Sequence, residues 1–237
     1  MASSGRKQGA AKFRRAIARS NKLHAEYLGN PALYESYDRF TRWQFDYMLP
    51  FFSDLLEPEG YAEAVDFIVS DLAGVGISER DRDIERATPV IVRSLPTHPL
   101  EAAAAAVELN ARALELNLGI CRELLVDGVL PPDIIETDYF IACRKVSSYE
   151  ECMDLVHLAT DLGETLRKLV RVPLIGALLR TMRKPAHAAG FGALQEFLET
   201  GYLTFRRISD IDAFLELLRL RMDLVFERIY GSPVPEQ

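Results

Sequence analysis

Cysteine, histidine and tryptophan are scarce in this chain: three, four and one among 237 residues. Cys121, Cys143 and Cys152 are odd in number and nowhere spaced C-x-x-C, which argues against a disulfide framework and against a structural zinc site. His24, His98, His157 and His187 are scattered, and no Ser/His/Asp or Cys/His set forms around them at short range. Glu-x-x-His does not occur, so the four-helix di-iron enzyme class is disfavoured. The longest apolar runs, Ala102–Val107 and Val172–Leu179, fall far short of the roughly 18 to 20 residues that cross a bilayer. The first 25 residues hold no apolar stretch ahead of a small-residue cleavage site, so no secretory signal is expected and the chain is read as cytoplasmic.

Acid is missing from two stretches. Residues 1–25 carry Arg6, Lys7, Lys12, Arg14, Arg15, Arg19 and Lys22; residues 165–195 carry Arg167, Lys168, Arg171, Arg180, Arg183 and Lys184. Setting those thirteen cations aside leaves 15 of 28 basic residues against all 35 acids, a body of −20 behind a formal charge of only −7. The first stretch is expected to be a solvated, partly frayed arm, and both are candidate surfaces for anions.

What is present in quantity is helix signal. With 49% hydrophobic and 27% charged residues the composition is that of a folded globular chain, and no segment alternates with period two for long enough to compete as a strand. The reading is an all-α fold, a single multi-helix bundle of about eight to ten helices around a long central one. Residues 1–25 form the basic arm and the start of the first helix, 26–230 one helical domain, and 231–237 a disordered tail.

The first helix is expected over about Ala10–Leu28, ended by Gly29-Asn30-Pro31, and the second from Pro31 to a break at Pro50. Glu57-Pro58-Glu59-Gly60 reads as a turn, followed by a helix to about Ala73 and another capped by Ser78 and Asp81 and kinked at Pro89. The longest helix starts at Thr97 and stops before Asp127-Gly128; a shorter one covers about Asp133–Cys143. Ser148 with Glu151 forms a capping box for a helix to about Val170. Pro173 and Pro185 then divide short helices, and Ser209 with Asp212 starts a last helix to about Tyr230.

Projection at 100° per residue sorts the polar side chains. Asp154, His157 and Asp161 share a face, yet it lies opposite the leucines of their helix and reads as solvated, so no metal site is expected. On the central helix Asn110 and Asn117 fall between two apolar flanks, and Gln44 lies in line with Tyr37, Phe40 and Tyr47. Such amides either bond one another across helices or line a small pocket. Glu101, Glu108, Glu115 and Arg122 form a separate polar stripe. The last helix is apolar on two sides, and Leu217, Leu220 and Leu224 on the second side are expected to be buried within the monomer, with a homodimer contact as the other outcome.

In the second basic stretch, a helix restarting near Pro185 would offer free backbone N–H groups beside Arg180, Arg183 and Lys184, with Arg171 near, as a site for an anionic ligand, an acidic protein or an acidic membrane surface. The apolar residues there, Leu174, Ile175, Leu178 and Leu179, are expected to pack in the core. No P-loop or G-x-G-x-x-G is present. The alternating charges of Glu79–Arg86 read as a surface salt-bridge lattice.

Arg42-Trp43-Gln44, Ala64-Val65-Asp66-Phe67, the run Arg80–Arg86 with Pro89, Arg93 and Leu95-Pro96, then Arg171, Pro173, Ile175-Gly176, Leu178-Leu179-Arg180, Met182-Arg183, Pro185-Ala186, Gly190, Leu194-Gln195, Phe197-Leu198-Glu199 and Gly201 resemble a family of bacterial helical proteins informally called FFLEELY-motif proteins. The resemblance covers about residues 37–230, implies a helical fold and brings no catalytic residues. The naming motif stands here as Phe67–Ala73, without one acid and the tyrosine; the basic arm and His24 lie outside the resemblance.

Two function classes follow. One is a non-enzymatic binding or regulatory protein that meets an anionic partner through Arg171, Arg180, Arg183 and Lys184. The alternative is a cofactor- or small-molecule-binding helical enzyme, most concretely heme-oxygenase-like, with a pocket lined by Gln44, Asn110 and Asn117 and His24 as axial ligand.

Overall fold

The computed structural model describes residues 2–56, 60–67 and 78–231. These form ten α-helices: α1 (Ala2–Leu28), α2 (Pro31–Met48), α3 (Tyr61–Phe67), α4 (Ser78–Ser94), α5 (Thr97–Leu124), α6 (Glu136–Val146), α7 (Tyr149–Val170), α8 (Pro173–Ala188), α9 (Gly192–Arg207) and α10 (Ile211–Gly231). A 3₁₀ stretch, Leu49–Leu56, joins α2 towards α3 at Pro50. Among the described residues the only extended pairing is the bridge Val126 to Val129. The all-α bundle is therefore the fold, and no helix among the described residues is long and apolar enough to cross a membrane.

The chain's own stop and start chemistry sets many boundaries. Asn30 accepts from Leu33 N at 3.2 Å with Pro31 at the first helical position of α2. Ser148 and Glu151 close a full capping box on α7. Asp127 and Gly128 take positive φ after α5. The cap of α10 is Asp210 rather than Ser209: its carboxylate accepts from Ala213 N at 3.0 Å. The turn at 57–59, the stretch 68–77 that holds most of the FFLEELY-like motif, the Ser78/Asp81 side chains and the tail 232–237 lie outside the described residues.

Three expectations are corrected. The first helix begins at Ala2, eight residues before the expected start, and the added turns lie on α5, with Gly5 against Thr97 and Gly9 against Leu100. The segment is thus a packed helix and not a frayed arm. α8 runs unbroken through Pro185 to Ala188. On α10, Leu220 and Leu224 are exposed, since no described element covers that side.

α5, at 28 residues about 42 Å long, is the axis of the molecule. α1 lies beside it in parallel: Gly5 meets Thr97, Gly9 meets Leu100 and Glu101, Arg19 pairs with Glu108 and Glu115, and Glu26 with Arg122. Behind this seam, Leu23, Tyr37, Phe40, Leu55, Leu118, Cys121, Tyr139, Phe214 and Val225 belong to one apolar core that reaches from α1 to α10. A second cluster joins Phe13, Ile17, Leu100 and Ala104 to α4.

Gly60, at φ 82°, is pressed against the α9–α10 connection, where a Cβ would sit 2.6 Å from the Arg207 carbonyl oxygen. Gly128 has a similar φ of 80° with nothing near it. Gly128→Ala is expected to cost about 1–2 kcal/mol from backbone conformation alone, and Gly60→Ala clearly more. Equal losses in urea denaturation would contradict the close approach.

Candidate functional site

The second basic stretch folds into the α8–α9 hairpin, and polar contacts hold it. Arg183 of α8 grips Glu199 of α9 with both Nε and Nη2. Gln195, buried on α9, donates its Nε2 to the Leu179 carbonyl at 2.8 Å and to Glu199 Oε1 at 2.8 Å. Arg183 first, then Gln195, hold the Glu199 carboxyl below its usual range, and Glu199 raises the Arg183 guanidinium in return. Gly176 brings α8 close under Tyr202.

From the other side α4 fastens the hairpin's turn. Asp83 is buried and accepts from Leu194 N at 3.2 Å, at the start of α9. Arg86 donates to the Gly190 carbonyl at 3.2 Å and lies 5.3 Å over the Phe191 ring. Asp83 and Arg86 form an i, i+3 ion pair at 3.6 Å, as the salt-bridge reading of Glu79–Arg86 expects, and both also reach out of α4 to clamp the α8–α9 turn. The sequence carried one usable signal, an Asp at an apolar-facing turn of α4 beside Ile84 and Ala87. Phe67 stacks on Phe197 at 5.4 Å and lies under Gly201, fixing the far end of α9.

The outer side of α8 has a different character. None of its residues is buried. Leu174, Leu178 and Met182, spaced i, i+4, i+8, form one stripe exposed at 73%, 52% and 44%, with Val172 exposed at its start. The expectation that this apolar set packs in the core is corrected for Leu174 and Leu178; Ile175 and Leu179, turned towards α9, are half-buried. Arg171, Arg180 and Lys184 are exposed and make no hydrogen bond or ion pair among the described residues. Arg183 is engaged by Glu199. Because the helix continues through Pro185, the expected run of free N–H groups does not exist there.

The three core amides separate. Gln44 Nε2 donates to Asn117 Oδ1 at 3.3 Å and to the Tyr139 hydroxyl at 3.1 Å. The Asn117 amide partly offsets the rise that burial imposes on the Tyr37 hydroxyl, and Tyr139 does the same for the Cys143 thiol. Burial pushes the Tyr37 and Tyr139 hydroxyls well above their ordinary range. Asn110, two turns up α5, is half-buried and outside this network. His24 is buried, its Nδ1 3.3 Å from Ser20 Oγ and its ring 5.6 Å from Tyr27, which packs on Tyr37. The amides and tyrosines therefore satisfy one another across α2, α5 and α6. Sequence reasoning missed Tyr37 and Tyr139 as the partners, since nothing local shows which helices meet.

Other polar sets resolve simply. Asp154, His157 and Asp161 are exposed. Arg19, raised chiefly by its hydrogen bond to Glu115, meets the glutamate stripe of α5 together with Glu26, which pairs with Arg122. On the outer face of α1, Lys7, Lys12, Arg14, Arg15 and Lys22 are exposed and unpaired among the described residues. All three cysteines are buried; burial pushes the Cys121 thiol up to about 11 and the Cys143 thiol to about 12.

A family model described as "Domain of unknown function (DUF8198)" matches residues 24–234. No curated protein and no solved structure matches the chain.

Gln44→Leu strands the Asn117 carbonyl and removes a donor from Tyr139, and is expected to cost about 1–3 kcal/mol; Asn110→Leu stays within about 0.5 kcal/mol. Urea denaturation of the two variants decides it. The thiols carry a pH signature as well. Their folded values lie above the unfolded value of 9, so unfolded chains lose these protons first, and stability should be full below pH 9 and fall between pH 9 and about 12. Cys→Ala changes at 121 and 143 should flatten that fall, measured by denaturation across pH.

Proposed function

The chain belongs to the DUF8198 family, and for this member we propose a non-enzymatic binding or regulatory role, exercised on an anionic partner through the exposed face of α8. We further read it as a bacterial, cytoplasmic protein of the FFLEELY-motif kind. One observation carries the reading: a helix with no fully buried residue, fastened by polar contacts to α9, holds Arg180 and Lys184 in solvent without counter-charges among the described residues, with Arg171 just ahead of it. Cations left unpaired on a body that is otherwise strongly acidic attract anions and orient their approach. The clamp of Asp83, Arg86 and Gln195 keeps the surface in place, so a partner binds without ordering it first.

The core amides support this reading rather than a pocket. Gln44 and Asn117 bond each other and Tyr139, and His24 is packed against Ser20 and Tyr27. Cys121 and Cys143 stay protonated at neutral pH and are poor nucleophiles there.

Arg180→Gln/Lys184→Gln should elute from immobilised heparin at distinctly lower salt than the parent protein, with an unchanged thermal midpoint because both side chains are exposed and unpaired. Lys7→Gln/Lys22→Gln on α1 should shift elution less. A larger shift from the α1 pair would move the site to that helix, and native mass above the polypeptide mass would favour a bound cofactor instead.

A further inference from the structure

We propose that the anionic partner is a lipid surface, and that α8 lies in the plane of an acidic membrane interface with Leu174, Leu178 and Met182 inserted below the headgroups. This deepens the proposed function and rests on it. The stripe decides between anionic partners. A nucleic-acid backbone offers phosphates and nothing to cover three exposed apolar side chains in a row; an acidic bilayer offers phosphates with hydrocarbon directly beneath. The outer face of α1 is the internal contrast. Its exposed residues include Lys7, Ala11, Lys12, Arg14, Arg15, Ala18 and Lys22, basic and small, and the exposed large apolar residue of α1, Leu28, stands alone at its C-terminal end.

The layout of α8 follows the same chemistry. Leu174, Leu178 and Met182 repeat every four residues and so share one face, while Lys184 and Arg180 lie about 80° and about 120° around the helix from Leu174, on the opposite flank of the exposed side, and Arg171 precedes the helix at its N-terminal end. Long cationic side chains on the flank of a helix lying in the interface reach headgroup phosphates by extending their apolar stems. Residues 165–195 contain no acid to repel that surface; of the acids that reach α8, Glu199 is paired with Arg183 and Glu196 lies 3.7 Å from His187 near the helix's C-terminal end. At 16 residues the helix is about 24 Å long, enough for two turns of the stripe to lie flat but not to cross a bilayer. The acidic remainder of the molecule favours this face towards an anionic layer and turns the rest away. One amphipathic helix gives weak, reversible, salt-sensitive association.

The test is co-sedimentation of the full chain with vesicles of phosphatidylcholine alone and of equal parts phosphatidylcholine and phosphatidylglycerol. The parent protein is expected to sediment with the second and not the first. Leu174→Gln/Leu178→Gln and Arg180→Gln/Lys184→Gln should each lower the bound fraction about tenfold without moving the thermal midpoint, as all four side chains are exposed. Met182→Trp provides a direct readout: its emission should shift to the blue with the acidic vesicles only. Binding by the leucine variant equal to the parent's overturns insertion. So does a parent dimer in light scattering that the leucine variant converts to monomer, because the stripe is then covered by a second copy. If the protein ignores both vesicles yet holds to heparin through Arg180 and Lys184, the membrane is wrong and the anionic-partner reading stands; loss of both removes the two together.

Discussion

A helix of 28 residues with apolar side chains on more than one flank cannot stand in water, and α1, α2, α6 and α7 are laid against α5 to cover it. The only long polar stripe on α5, Glu101, Glu108, Glu115 and Arg122, is met by α1, whose Arg19 and Glu26 pair with it. Such half-exposed ion pairs contribute about 0–1 kcal/mol each, whereas burying one large apolar side chain such as Phe13 or Leu118 contributes about 1.5–3 kcal/mol. The pairs therefore select the parallel register of α1 on α5, and burial holds it. The basic arm is consequently helix from Ala2, and two of its seven cations are used internally: Arg19 on glutamates, Arg6 on carbonyls at the end of α4.

The α8–α9 hairpin is built on the opposite principle. No α8 residue is fully buried; Ile175 and Leu179 are half-buried towards α9, and a set of directional contacts fixes the hairpin: Arg183 to Glu199, Gln195 to the Leu179 carbonyl, Asp83 to the first turn of α9, and Arg86 to Gly190 and Phe191. Asp83 sits where a buried carboxylate is tolerated, because it accepts from a backbone N–H at the positive end of a helix. A helix held by polar clips keeps its outer face free. That separation of holding side from presenting side is the physical content of the proposed binding surface.

The fold class was legible from periodicity, and most helix boundaries from local chemistry: Asn30-Pro31, Asp127-Gly128 and Ser148 with Glu151 each act within four residues of themselves. The departures have one cause. Ala2–Gly9 looked like an arm since nothing in it is strongly apolar; α5 supplies the surface that makes it helical. Pro185 looked like a break, yet α8 accommodates it on the solvent side. Leu174 and Leu178 looked like core because their spacing is that of core, and spacing does not say whether another element arrives to cover it. At the site, Arg171, Arg180 and Lys184 were visible as a basic cluster, but the engagement of Arg183 by a residue 16 positions away was not. Gln44 and Asn117 were visible as buried amides; their tyrosine partners and the exclusion of Asn110 depend on how α6 crosses α2 and α5.

The sequence by itself determined that this chain is all helix, where the capped helices start and stop, and that two stretches carry bases without acids, because propensity, capping and charge are properties of neighbours along the chain. The tertiary structure alone decided which cations remain free, which apolar stripe stays in solvent, and that an aspartate and an arginine of α4 hold the hairpin that carries both, because those outcomes depend on the distance between residues roughly a hundred positions apart, Asp83 and Arg86 against Leu194 and Gly190.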